Sequence, residues 1–236
     1  MTKRVLAIIP ARGGSKDLPR KNILKLKGDP LVAWSIKASL NSRYITQTIV
    51  STDDDEISNI AENNRALVIK RPKKLSSDTA TSVSVVRHAI EFLKAKNEVY
   101  DIVILLQPTS PLRTSKHIDS AYENFMKSDA ESLISVIEID NKCLKSFIKK
   151  SEDGYIEAIS NNEYAFTRRQ DLPLTYLSNG AIYIVTIPEL LKNNSFYTEK
   201  TIEYLMDEFS SIDIDSHEDL AKAESILRST DADKQG

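Results

Sequence analysis

VLAIIPARGGSKDLPRKN, residues 5–22, sets an unbroken apolar run against a polar, basic loop. Val5–Ile9 shows no alternation of polar and apolar positions. A run of that kind reads as a strand buried on both faces, as in a parallel sheet covered by helices. The loop after it carries Gly13, Gly14 and Pro19, with Arg12, Lys16, Arg20 and Lys21 as its basic residues. In open α/β sheets, ligands sit beyond the carboxyl ends of the strands, so a loop here is well placed to hold one.

The rest of the chain repeats the theme. Short apolar runs recur at Ile45–Val50, Leu67–Ile69, Ile102–Leu106, Leu133–Ile137 and Ala181–Val185. Helix-period segments lie between several of them, at Pro30–Leu40, Asp54–Asn63, Ser82–Lys94 and Thr114–Met126. Pro30 suits a first helical turn. Ser216 followed by Asp219 marks the start of a further helix over Ser216–Leu227. Strands alternating with helices imply an α/β fold with a mostly parallel sheet. Residues 138–180 break the alternation and read as an insertion, with Asp153-Gly154 turning a hairpin between Phe147–Lys149 and Tyr155–Ala158. The expected organisation is one domain over residues 1–228, with an inserted arm at about 140–178 and a polar tail at 229–236 that frays.

Composition narrows the class. The chain has 236 residues, 41% hydrophobic and 28% charged, enough for a sizeable core. A net charge of -2 gives no hint of nucleic-acid binding. Cys143 is the sole cysteine, which excludes an intrachain disulfide and a Cys-cluster zinc site. His88, His117 and His217 lack metal-ligand spacing, and their expected role is structural. No signal-peptide pattern and no apolar stretch of membrane length is read, so a cytoplasmic protein is expected.

The first loop admits two readings. Gly13 and Gly14 allow close backbone approach, so amides can converge on an anion. Arg12, Lys16 and Lys21 would add charge-assisted bonds suited to a triphosphate. The alternative is a solvated basic turn. Neither GxxxxGK[ST] nor GxGxxG occurs. Three further stretches favour the phosphate reading. RPKKLSSDTATS (71–82) brings Arg71 and a run of hydroxyls to a helix start. LLQPTSPLRT (105–114) leaves a strand end with Gln107, Thr109 and Ser110. SIDIDS (211–216) spaces Asp213 and Asp215 two apart, on one face of an extended segment. Such a pair suits Mg²⁺ bridging phosphates, though a solvated strand edge is the commoner use.

These stretches, with RRQDLP (168–173) and NGAIYI (179–184), occur in order along nearly the whole chain. Together they resemble the bacterial CMP-sialic acid synthetases, cytidylyltransferases for nine-carbon nonulosonic acids. The resemblance implies a Rossmann-like nucleotidyltransferase fold and a homodimer joined through the inserted arm. It implies CTP and a nonulosonic acid, most simply N-acetylneuraminic acid, as substrates, and Mg²⁺ on Asp213 and Asp215. Legionaminic, pseudaminic or eight-carbon Kdo sugars are alternatives, as is a non-catalytic nucleotide-binding regulator. By motif, Arg12 and Lys21 would hold the phosphates, supported by Ala11, Gly13, Ser15 and Lys16. Asn22, Arg71 and Ser82 would hold the nucleoside. Gln107 would contact the acylamino group of the sugar and Arg169 its carboxylate, with Arg168 competing for that role. Tyr183, Phe196 and Tyr197 would wall the sugar, or else serve core or dimer packing. Lys145 matches a lysine of the dimer arm. The chain departs from close sialic acid enzymes at Leu177-Ser178, where they carry an arginine before the NG turn. That departure bears on carboxylate binding and on which sugar is used. Neither nucleic acid nor membrane is an expected partner.

Overall fold

The computed structural model describes residues 3–15, 18–77 and 79–233. The chain divides into two compact units, Met1–Val136 with Asn179–Gly236, and Ile137–Ser178.

The first unit opens with β1 (Val5–Pro10), a small antiparallel pair β2 (Lys25–Leu26) and β3 (Asp29–Pro30), and α1 (Leu31–Leu40). It continues through β4 (Gln47–Thr52), α2 (Asp55–Asn63), β5 (Leu67–Lys70), α3 (Ser82–Lys94), β6 (Ile102–Leu105) and α4 (Ser115–Lys127). Next come β7 (Ser132–Ile139), the arm strands β8 (Phe147–Lys149) and β9 (Ile156–Ala158), and β10 (Thr175–Thr186). α5 (Ile187–Asn193), β11 (Thr201–Leu205) and α6 (His217–Asp233) complete the chain.

Seven strands form the main sheet in the order β11-β7-β10-β6-β1-β4-β5. β1 pairs in parallel with both β4 and β6, β4 with β5, and β11 with β7. β10 runs antiparallel to β6. β1 shows why its sequence is apolar throughout. Val5, Ala7 and Ile9 join one core with residues of α1, α2 and α4. Leu6 and Ile8 join the opposite core with residues of α3. Alternate side chains face opposite sides of a sheet, so a strand covered on both sides needs both sets apolar. A third cluster packs α6 through Ala223 against Leu26, Leu31, Ile212 and Ile214.

Helix starts follow capping chemistry. The Asp54 carboxylate accepts from the Ile57 amide at 3.0 Å, and Thr81 and Thr114 cap α3 and α4 in the same way. His117 completes the α4 cap, its Nδ1 accepting from the Thr114 amide at 3.3 Å, which is the structural use expected of it. The Ser216 hydroxyl accepts from the Asp219 amide at 3.2 Å, and the Asp219 carboxylate accepts from the Ser216 amide at 2.9 Å. Pro30 stands just outside α1 at its cap, not in its first turn.

Three features differ from the sequence reading. β10 begins at Thr175, inside the stretch read as irregular insertion. α5 and β11 were not anticipated: one is a single short helix, the other an edge strand with exposed Glu203 and Leu205. α6 continues through Ser229 to Asp233, where a fraying tail was expected. The last residues of that tail lie outside the described ones.

In the second unit, β8 and β9 pair antiparallel about Gly154, whose φ of 87° is the left-handed conformation a tight hairpin turn demands. Leu172 is its one buried apolar side chain among the described residues. No described helix is long and apolar enough to cross a membrane.

Candidate active site

The carboxyl ends of β1, β5 and β6 open into a polar cavity of about 300 Å³. Arg12, Lys21, Asn22, Arg71, Ser82, Gln107, Asp213 and Asp215 all line it, although they come from four separate stretches of sequence. A larger cavity of about 650 Å³ lies at the opposite end of the sheet, near the starts of β1 and β6. Its lining is mainly apolar and holds none of the residues of the sequence motifs, so the smaller cavity is the candidate site.

The basic loop is fastened to its surroundings at several points. The Ala11 amide donates to the Ser51 carbonyl at 3.0 Å, and the Gly13 amide donates to Asp53 Oδ1 at 3.2 Å. A Cβ on Gly13 would lie 2.6 Å from Asp54 Oδ2, so only glycine allows this approach. Arg20 sits at φ 54° and forks between Asp54 at 3.1 Å and Glu56 at 2.7 Å. It directly precedes Lys21, whose ammonium meets Asp215 Oδ1 at 2.6 Å. Ser15 is half-buried in the loop, and Lys16 lies outside the described residues.

The nucleoside candidates are held by backbone carbonyls. Asn22 donates Nδ2 to the Arg12 carbonyl at 2.9 Å, leaving Oδ1 as the acceptor it can offer. Arg71 is buried, with Nη1 donating to the Leu75 carbonyl at 3.2 Å and Nη2 to the Ser51 carbonyl. Burial pushes its guanidinium down to about 10, Asp53 raising and Arg12 lowering it. It stays charged at neutral pH and organises the loop that follows it. Ser82 opens the 13-residue α3, whose N-terminus faces the cavity and favours negative charge there.

The carboxylate pair has unequal members. Asp215 is exposed, whereas Asp213 is half-buried. Burial pushes the Asp213 carboxyl above its ordinary range; nearby Asp215 adds to this, against the Thr109 hydroxyl and Lys21. Asp213 Oδ1 is buried with no hydrogen-bond partner among the described residues. A buried carboxylate oxygen without a donor is costly unless something positive completes it. Two hard oxygen donors of this kind fit Mg²⁺. Among the described residues no group of three or more His, Cys, Asp or Glu could hold a metal, so further ligands would have to be waters or substrate oxygens.

The remaining candidates lie elsewhere. Phe196 is buried in the core and packs its ring 5.8 Å from that of Tyr183, while Tyr197 is exposed. None of these three lines the cavity, so core packing accounts for Tyr183 and Phe196. In the second unit, Arg169 reaches Asp140 at 3.3 Å and Arg168 reaches Asp171 at 2.7 Å. Lys145, half-buried, belongs to that unit as well. Sequence reasoning passed over Asp53 and Arg113. Asp53 carries no signal beyond its place after β4, and Arg113 reads as a surface charge until the fold buries it to 1% exposure.

Arg12, Lys21 and Arg71 share a small cavity at the strand ends with two carboxylates, an arrangement suited to the transfer of a nucleotidyl group. That is the class this α/β fold and its site define. Within it the chain belongs to the cytidylyltransferase family, whose sequence pattern it matches over residues 6–235. It is 34% identical over 224 residues to the pseudaminic acid cytidylyltransferase of Campylobacter jejuni, covering 94% of this chain and 96% of that one. It is 38% identical over 235 residues to the CMP-N,N'-diacetyllegionaminic acid synthase of Legionella pneumophila, covering 95% and 96%. The N-acylneuraminate cytidylyltransferase of Escherichia coli is 33% identical over 99% of this chain but only 54% of its own length. Among solved structures, a CMP:2-keto-3-deoxy-manno-octonic acid synthetase complexed with CTP superposes with a TM-score of 0.70. The match covers 96% of this chain and 99% of that one at 16% identity, a likeness of fold.

Proposed function

We propose that this nucleotidyltransferase transfers CMP from CTP to the anomeric C2 hydroxyl of a nine-carbon nonulosonic acid, releasing pyrophosphate. The observation that carries the reading is the convergence of Arg12, Lys21, Gln107, Asp213 and Asp215 on one cavity. Arg12 and Lys21 hold the phosphates, and Asn22, Arg71 and Ser82 orient the nucleoside. Gln107, at the end of β6, receives the sugar. The hydroxyl attacks the α-phosphorus in line, and the protein acts chiefly by placing the reactants and offsetting charge. Lys21, drawn from Asp215 onto a phosphate, neutralises charge that grows in the transition state. Mg²⁺ would be held by Asp213 and Asp215, where it supplies charge neutralisation on the phosphates and acidifies the attacking hydroxyl. No side-chain base is assigned.

The second unit serves as a dimerisation arm in this reading. Its apolar side chains are largely uncovered: Phe166 is 88% exposed, Leu174 70% and Tyr155 69%. Apolar surface of that extent marks an interaction site. Arg169 and Lys145 on the arm would bind the sugar carboxylate, the arginine by a bidentate fork. The enzyme is expected in the cytoplasm, where CTP is made available.

N-acetylneuraminic acid is the first sugar to test. One observation favours a legionaminic or pseudaminic acid as the second. The relatives named for those two sugars match this chain over nearly their full length, whereas the neuraminate enzyme of E. coli is matched over 54% of its own. Pyrophosphate release from CTP, measured with each sugar and with Kdo, separates them. Release with one nonulosonic acid and not with Kdo is expected. No release with any sugar would leave the nucleotide-binding regulator as the surviving reading.

A further inference from the structure

Asn179 stands at the meeting point of three elements. It is 6% exposed. Its Oδ1 accepts from Ser135 Oγ on β7 at 2.6 Å and from the Ala181 amide on β10 at 3.2 Å. Its Nδ2 donates to Ser211 Oγ at 2.9 Å. Its carbonyl accepts from the buried Ser110 hydroxyl at 3.4 Å, in the loop after Gln107. Arg113 ties the same two elements from within, its Nη1 donating to the carbonyls of Gln107 at 3.2 Å and Ala181 at 3.0 Å.

The residue after Asn179 explains what this brace spaces apart. Gly180 has φ 75°, and a Cβ there would lie 2.7 Å from Gln107 Oε1 and 3.6 Å from Asp213 Oδ2. The Gln107 amide and the Asp213 carboxylate therefore flank one backbone position. Gln107 is anchored by β6. The segment 211–215 belongs to no strand or helix. Its apolar side is fixed by buried Ile212 and Ile214. Its polar ties include the Asn179–Ser211 bond, the Ile214 amide on the Thr109 carbonyl at 2.8 Å, the Thr109 hydroxyl on Asp213, and Lys21 on Asp215 at 2.6 Å.

We propose that Asn179 is a positioning residue for nucleotidyl transfer: through Ser211 it holds the Asp213–Asp215 segment at a set distance from Gln107. The proposal rests on the function argued above. Asparagine suits the post because one amide accepts two bonds and donates a third in a buried place. Aspartate would lose the donor and bury a charge, and alanine would take one partner from each of three groups: the Ser135 hydroxyl, the Ala181 amide and the Ser211 hydroxyl.

The test uses the full chain and starts from Ser211→Ala, which removes the acceptor of the Asn179 amide while keeping its bonds to Ser135 and Ala181. Ser211→Thr restores the hydroxyl. We expect Ser211→Ala to lower kcat by about tenfold, since small displacements of reacting groups cost that order or more. The KM for sugar should stay near the wild-type value, because Gln107 is held by its own strand. Mn²⁺ binding in the presence of CTP and absence of sugar, read by electron paramagnetic resonance, should weaken several-fold. Ser211→Thr should recover both. The double variant Asn179→Ala/Ser211→Ala should be no slower than Asn179→Ala alone. Wild-type kcat and Mn²⁺ binding in Ser211→Ala would overturn the proposal, as would losses in the two single variants that multiply. Should Asn179→Ala fail to fold, the Ser211 pair decides. A wild-type enzyme inert with every sugar would refute the proposed function instead, and the brace is then judged on Mn²⁺ binding alone.

Discussion

In the proposed function Lys21 and Asp213 carry the chemistry, and each makes a prediction. Lys21 is mostly buried beside its partner Asp215, so its charge is aimed rather than solvated. Lys21→Ala should lower kcat on the order of a hundred- to a thousandfold, as loss of a preorganised charge contact does. The KM for sugar should change little, and single-turnover kinetics checks the split. A folded variant with wild-type turnover would contradict the assignment. Asp213 offers a pH signature. A carboxyl raised by burial takes up its proton more readily in the folded protein than in the unfolded chain. Ionised Asp213 therefore costs stability at neutral pH, and the cost fades as pH falls through its raised folded pKa toward the ordinary carboxylate range. Asp213→Asn should melt above wild type at neutral pH in the absence of metal, with the gap closing on acidification. Thermal melts across that range check it, and a gap that widens toward acid would count against it. At this scale the sequence was informative wherever residues cluster in one motif. Arg12, Lys21 and the carboxylate pair are legible from the glycine loop and the i, i+2 spacing. Asn179 and Arg113 are not, because their partners lie far away in the chain.

The elements divide along the same line. Strands buried on both faces announce themselves, which is why β1, β4, β6 and β7 were readable as apolar runs; β5, at the sheet edge, was readable from Leu67–Ile69 although Leu67 is exposed. β11 was not: Thr201–Leu205 is an edge strand whose exposed positions dilute the pattern. α5 is too short for periodicity to show. The core of β10 was legible at Ala181–Val185, but its first residues are exposed and read as loop. The arm was visible as a break in alternation, and its structure sharpens the expectation drawn from it. In the proposed function, a unit with one buried apolar side chain among its described residues and many exposed ones is offered to a partner surface. Light scattering at assay concentration should give the mass of a homodimer. Ile156→Asp and Leu174→Asp, placed on the exposed apolar surface, should shift it toward the monomer and lower activity. A monomeric, fully active wild type would remove the arm from the mechanism.

The first unit is a doubly covered sheet whose strand ends converge on one small polar cavity, while the larger apolar cavity lies at the far end of the same sheet. Fold alone does not choose between a Kdo synthetase and the nonulosonic acid enzymes, since likeness at 16% identity extends to the former. The choice rests on the residues in the cavity and on full-length similarity to the pseudaminic and legionaminic acid enzymes. In the proposed transfer the anomeric oxygen of the sugar becomes the bridge to the α-phosphorus. A nonulosonic acid carrying heavy oxygen at C2 tests it, with CTP as the second substrate and phosphorus NMR as the readout. The account predicts an isotope shift on the CMP phosphorus of the product and none on pyrophosphate. A product whose CMP phosphorus lacks the label, or heavy oxygen in pyrophosphate, would contradict it.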